Sequence, residues 1–200
     1  MFDKENLPWL IKEALQDREP QVIEDKDGLS NHAAVLIPMF KQDDDYGVLF
    51  TKRTNTVEAH KGQISFPGGR VDERDRSLLD TALREAYEEI GLQSKDVMIL
   101  GRTDDMRTVA SNYIVHPFVG FIPYPYSFEI NTDEVAKLIS VPLEIFLGGS
   151  STIPVNYEGN FYHGLAYAYA GDVIWGATAR IMDNLIIILK GKLNLPALKA

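Results

Sequence analysis

Leu7, Leu10, Ile11 and Leu15 stand three and four positions apart within residues 5 to 16, the spacing of an amphipathic helix. The next stretch, DREPQVIEDKDGLSN, has no such period and reads as a connecting loop. HAAVLIPMF and YGVLFTKR are apolar, β-prone runs, and the KQDDD between them predicts a hairpin. Asp43, Asp44 and Asp45 are consecutive, so they cannot all face one point; they read as a solvated turn rather than a metal cluster. A second helical pattern covers residues 77 to 90 and is closed by Gly91. Strands are predicted at 96–103, 115–122, 134–141, 152–157 and 161–170. A last helix is predicted from near Trp175 to Lys190, closed by Gly191. Strands mixed with a few helices, without regular βαβ alternation, indicate the α+β class.

Composition narrows the reading. At 200 residues, 45% hydrophobic and 24% charged, the chain suits one domain. Residues 1–30 would supply a leading helix and loop, and residues 31–200 the core with its C-terminal helix. There is no cysteine, hence no disulfide and no thiolate metal site, as suits a reducing cytoplasm. The first twenty residues lack the apolar run of a signal peptide, and no stretch approaches the roughly eighteen apolar residues that span a bilayer. A formal charge of −9 argues against a nucleic-acid partner, because that affinity comes from lysines and arginines meeting phosphates. An acidic chain that handles phosphates needs a cation as intermediary.

The 77–90 helix carries the candidate chemistry. At about 100° per residue, Glu85, Glu88 and Glu89 share an arc of roughly 100°, while Leu79, Leu83, Ala86 and Ile90 centre roughly 140° away. One face should pack and another should present carboxylates. Such a face is ordinarily just solvated, but here it follows a Pro-Gly-Gly turn able to aim a backbone carbonyl at the same point. Oxygen donors of this kind suit hard cations such as Mg2+ or Mn2+, which would turn mutual repulsion into coordination. Arg84 either pairs with Glu88 along the helix or reaches back to Asp75.

GGRVDERDRSLLDTALREAYEEIGL resembles the signature box of the Nudix hydrolases, with Gly69, Arg84, Glu85, Ala86, Glu88, Glu89, Gly91 and Leu92 in register. Asp75 replaces the first glutamate of that box, and eight residues rather than seven separate it from Arg84. Just upstream, LFTKRTNTVEAHKGQISFPGG is similar to the extension of the coenzyme A diphosphatase branch, through Leu49, Thr51, Arg53, Gly62, Phe66, Pro67, Gly68 and Gly69. Glu58 stands where that branch has an arginine. If Glu58 faces the ligand, it weakens selection for the 3′-phosphate of coenzyme A unless a metal or a base such as Arg53, Lys61 or Arg70 lies between. EVAKLISVPLEIFL and IWGATARIM extend the similarity to about residues 32 to 190.

The resemblance implies a mixed β-sheet sandwiched between α-helices, with helical additions at both ends. It implies metal-dependent hydrolysis of a diphosphate linkage in a small nucleotide substrate, most specifically coenzyme A to phosphopantetheine and adenosine 3′,5′-bisphosphate. ADP-ribose or a nicotinamide dinucleotide is the alternative substrate, and a sensing domain without turnover the alternative class. By carry-over, Glu85 and Glu89 are the main metal ligands, Glu88 is a third ligand or the water-activating base, and Gly68 lends its carbonyl. Glu134 in NTDEVAKL is a second candidate base. Arg53, His60 and Arg70 are candidate substrate contacts, and Lys52, alternating with Arg53, should face the other way. His32, His116 and His163 read as core or surface residues, and the aromatics of EGNFYHGLAYAYAG as packing. The apolar NLIIIL serves the core or a homodimer interface equally well.

Overall fold

A computed structural model describes residues 6–54, 62–108, 111–157 and 160–193. Strands β1 (Asn31–Gln42) and β2 (Asp45–Arg53) form the expected hairpin, with Met39 opposite Val48 and Gln42 opposite Asp45. Only Asp43 and Asp44 lie between them, and Asp43 takes φ 54°, a value that aspartate tolerates better than most residues. All three aspartates are exposed, so the turn is a solvated one.

The hairpin anchors a mixed sheet. Short β3 (Ile64–Ser65) pairs with β2, and β4 (Gly68–Arg70) pairs with the start of β1, Ala34 facing Gly69. On the other side of β1 lies β7 (Tyr113–Phe121), parallel to it, and β7 in turn takes β5 (Met98–Arg102) and β6 (Met106–Arg107). β8 (Val135–Pro142) closes the far edge of β2. A smaller antiparallel sheet follows, made of β9 (Ser151–Tyr157), β10 (Asn160–Tyr169) and β11 (Asp172–Trp175).

Helices cover both faces because β1 and β2 are apolar on both. Ala34, Leu36, Phe40 and Leu49 pack against Ala82, Ala86 and Ile90 of α2 (Leu78–Ile90). Their alternates Ile37, Met39, Val48 and Phe50 pack with Leu7 and Ile11 of α1 (Leu7–Gln16) and Phe146 of α3 (Leu143–Leu147). Met182, Leu185 and Leu189 of α4 (Gly176–Leu193) complete that layer. The α+β class and the sandwiched sheet are therefore those expected from the sequence.

Some details differ. β3, β4, β6, β11 and α3 are too short for a hydrophobic period to declare them. α4 runs through Gly191 to Leu193 instead of stopping there; a helix interior tolerates glycine at a cost of about 1 kcal/mol. The NLIIIL run goes largely to the core, with Leu185, Ile186 and Leu189 buried and Ile187 exposed. His116 is buried and His32 partly so: His32 Nδ1 lies 2.9 Å from His116 Nε2, whose other nitrogen meets Asp105 at 2.8 Å. His163 is exposed. Of the β10 aromatics, Tyr167 packs edge-on to Phe146 and donates its hydroxyl to Asp183 at 3.1 Å.

Candidate active site

Helix α2 begins where Ser77 accepts a hydrogen bond from the Asp80 N–H at 3.1 Å, and ends where Gly91 takes the left-handed conformation, φ 69°. Its buried face is rotated somewhat from the one expected: Ala86 and Ile90 are buried as expected, but Ala82 joins them while Leu79 and Leu83 are only partly covered. Two alanines let the helix sit close to β1, and that rotation carries Glu89 inward. Glu89 is only 3% exposed, while the Glu88 side chain remains about half exposed at 51%. The three glutamates therefore do not share one solvated face.

Arg84 answers the crowding of like charges. It reaches back to Asp75 side-on, Nε to Oδ1 at 2.9 Å and Nη2 to Oδ2 at 3.0 Å, and also donates to the Arg70 carbonyl at 3.1 Å. Its Nη1 donates to Glu85 at 2.8 Å and to Glu88 at 3.0 Å. Both alternatives considered for this arginine are thus realised at once. Asp75 also accepts from Thr81 Oγ1 at 2.8 Å and from the Asp72 N–H at 2.9 Å. The extra residue before Arg84 is absorbed without loss of the contact. The Arg84 guanidinium holds the Asp75 carboxyl far below its usual range, and Arg84 itself is held cationic, chiefly by Asp75.

The Pro-Gly-Gly turn lies against this helix. Gly68 has φ 153°, and a Cβ there would fall 2.4 Å from the Ala34 carbonyl; at Gly69 it would fall 2.5 Å from the Glu85 carboxylate. Only bare backbone can approach both the sheet and Glu85 so closely. The Gly68 backbone N–H favours the ionised form of Glu89. Burial pushes Glu89 up to about 8, against the pull of Arg53, and burial also raises Glu85. One oxygen of Glu89, Oε2, is buried with no hydrogen-bond partner among the described residues. A buried carboxylate oxygen left in this way costs free energy unless a cation or proton meets it.

The other predicted residues distribute unevenly. Arg53 turns toward α2, Nη1 3.8 Å from Glu89 Oε1, whereas Lys52 faces the opposite side and pairs with Asp172, as alternation required. Glu134 precedes β8, and its charge bears on both Glu85 and Glu89, so the loop brings it to the acidic cluster. Asn131, which the sequence reading passed over, orients that loop: its N–H donates to the Glu89 carbonyl at 2.9 Å and its Nδ2 to Glu134 at 3.3 Å. The signal for it was the Asn-Thr-Asp turn, in which the Asp133 N–H bonds Asn131 Oδ1. Arg70 is drawn away from the glutamates, to Asn31 at 3.3 Å and over the Tyr113 ring. His60, Glu58 and Lys61 lie outside the described residues.

Among the described residues, no three His, Asp or Glu side chains already converge on one metal position. Arg84 is the reason, since it draws Glu85 and Glu88 toward itself. The donor set still fits a hard divalent cation: oxygens only, one of them buried and unpartnered, with bare glycine backbone alongside.

Residues 30–149 match the family described as NUDIX domain. The chain is 38% identical over 158 residues to a protein of Photorhabdus laumondii described as an uncharacterized Nudix hydrolase, NudL, covering 78% of this chain and 83% of that one. It is 36% identical over 158 residues to the NudL of Yersinia pestis strain Pestoides F, covering 78% of each. Among solved structures, a MutT/nudix family protein from Enterococcus faecalis superposes with TM-score 0.56 and 14% identity, over 99% of this chain and 73% of that one. A C. elegans Ap4A hydrolase superposes with TM-score 0.50 and 18% identity, over 57% and 81% of the two chains.

Proposed function

Because the chain belongs to the Nudix family and is a hydrolase of diphosphate bonds, we propose that its substrate is coenzyme A, cleaved to phosphopantetheine and adenosine 3′,5′-bisphosphate in the cytoplasm. The observation that carries this reading is the stretch from Leu49 to Gly69, which resembles the coenzyme A diphosphatase extension and runs directly into the acidic helix. Its Arg53 approaches Glu89, its Gly69 lies against Glu85 and its Gly68 beside Glu89, so both ends of this stretch lie at the carboxylate cluster.

Glu85 and Glu89, with Glu88 and the Gly68 carbonyl, are the groups that would hold Mg2+ or Mn2+. When bound, such an ion supplies charge neutralisation at the diphosphate oxygens and lowers the pKa of water. The protein's own groups divide the remaining work. Arg84 is fixed by Asp75 and keeps Glu85 and Glu88 from dispersing into solvent. Arg53 offers a guanidinium for a phosphate oxygen beside Glu89. Either Glu88 or Glu134 takes the proton from the attacking water, Glu88 being half exposed beside Arg84 and Glu134 being oriented by Asn131.

The test is a panel of coenzyme A, dephospho-coenzyme A, ADP-ribose and nicotinamide dinucleotides, with Mg2+ and with Mn2+, each product identified by mass. Preferential release of phosphopantetheine is expected. Good turnover of ADP-ribose with no cleavage of coenzyme A overturns the substrate assignment.

A further inference from the structure

Lys52 and Lys137 stand opposite each other on β2 and β8, and a single carboxylate lies between them. Each Nζ donates to a different oxygen of Asp172, both at 2.8 Å. Asp172 opens β11 at the tip of the β10–β11 hairpin, just after Ala170 at φ 48° and Gly171 at φ 84°. The two ammonium groups, Lys137 ahead of Lys52, hold its carboxyl below the usual range, so it is ionised at neutral pH. Two cations and one anion leave a net charge of +1 in a chain whose total is −9.

The place of this cluster matters as much as its charge. Lys52 adjoins Arg53, which faces Glu89, and Lys137 follows Glu134 by three residues. The lysines thus stand at the same strand ends as Arg53 and Glu134, on the other face of the sheet from Arg53. Lys137 is 52% exposed and open to a ligand from solvent. The hairpin has an attachment besides Asp172, since its neighbour Ile174 is buried in the core. Glu58 stands in the sequence where the coenzyme A diphosphatase extension has a basic residue, and the lysine pair on β2 and β8 supplies positive charge.

We propose that Lys52 and Lys137 form the receptor for a second anionic group of the substrate, a phosphomonoester separate from the diphosphate that is cleaved, and that Asp172 fills this receptor until the substrate displaces it. The inference rests on the coenzyme A reading, in which the 3′-phosphate is that group. Displacement exchanges one carboxylate for a more highly charged phosphate, with charge-assisted hydrogen bonds from both lysines.

The experiment compares kcat/KM for coenzyme A and dephospho-coenzyme A in the wild type, Lys52→Ala, Lys137→Ala and Asp172→Asn, with melting temperatures to verify folding. The preference for coenzyme A is expected to fall about tenfold in each lysine variant, mainly through KM, and to rise in Asp172→Asn, where the competing charge is gone. Calorimetric titration of adenosine 3′,5′-bisphosphate and adenosine 5′-monophosphate onto the same proteins reads the receptor without turnover. A bisphosphate preference lost in the lysine variants supports the receptor even if coenzyme A is not cleaved, which would overturn only the substrate. Cleavage of coenzyme A with a preference unaltered in all three variants overturns the receptor and leaves the substrate assignment standing. Absence of any bisphosphate preference in the wild type also overturns it.

Discussion

Arg84 grips Asp75 side-on, with paired hydrogen bonds of 2.9 and 3.0 Å, across the loop that enters the acidic helix. The Asp75 side chain is only 4% exposed, so solvent does little to screen the pair. Asp75→Asn keeps the shape and removes the charge. Arg84 should then lose its orientation, and kcat/KM should fall by about tenfold or more, a typical consequence of misplaced catalytic groups.

The same pair sets an acid limit on stability. Arg84 depresses Asp75 below its unfolded value of about 3.9. The contribution is therefore present above that value and is lost as pH falls toward the lower folded one. In urea unfolding, the wild type should be more stable than Asp75→Asn at pH 7, and the gap should close on acidification below about 4. A gap that persists undiminished at low pH contradicts the charge assignment.

Glu89 has the opposite sign. Burial raises it to about 8, from roughly 4.3 in the unfolded chain, so its contribution to the stability of the metal-free fold is fully present below the lower value and is lost as pH rises through the upper one. Glu89→Gln should accordingly melt higher than the wild type at pH 8.5 in excess chelator. Saturating Mg2+ or Mn2+ should raise the wild type more than the variant, and only the wild type should regain turnover. Equal melting temperatures in chelator would show that Glu89 pays no burial penalty.

Two carboxylates compete for the role of base, and a rate comparison separates them. Loss of a positioned general base costs about 10² to 10⁴ in rate. Glu88→Gln and Glu134→Gln should differ by such a factor under saturating metal. Small, equal losses in both would remove both candidates.

Gly69→Ala tests the close approach of backbone to carboxylate. The added methyl would meet Glu85 at 2.5 Å, so the side chain must leave its place between Gly69 and Arg84. Activity should fall steeply and metal titration should show weaker binding, with circular dichroism unchanged. Full activity would mean that the Glu85 position seen here is not the working one.

Much of this arrangement was legible from residue order. The hairpin, the acidic helix with its glycine stop, and the two-sided apolar strands follow from periodicity and turn chemistry. The depth of Glu89 was not, because charge type suggested a solvated face and the compact Ala82 and Ala86 decided the rotation. Leu79 and Leu83 looked like the better packing residues, yet close approach of α2 to β1 favours the small ones. The partners Glu88 and Asp75 of Arg84 were each legible, but not that one guanidinium would hold both of them and Glu85 at once. Likewise, Lys52 and Asp172 are 120 positions apart, and only the sheet topology makes them neighbours.

Asn131 ties the last turn of the acidic helix to the loop that bears Glu134, through one backbone and one side-chain hydrogen bond. The consequence is mechanical. Asn131 fastens this loop to the end of α2, and Thr54 fastens it to the end of β2, its N–H donating to the Glu134 carbonyl at 2.9 Å, so the loop carboxylate is braced both from the helix and from the strand that bears Arg53. Accommodation of substrates of different girth would then fall to side chains turning in place, because helix, loop and strand are fastened to one another.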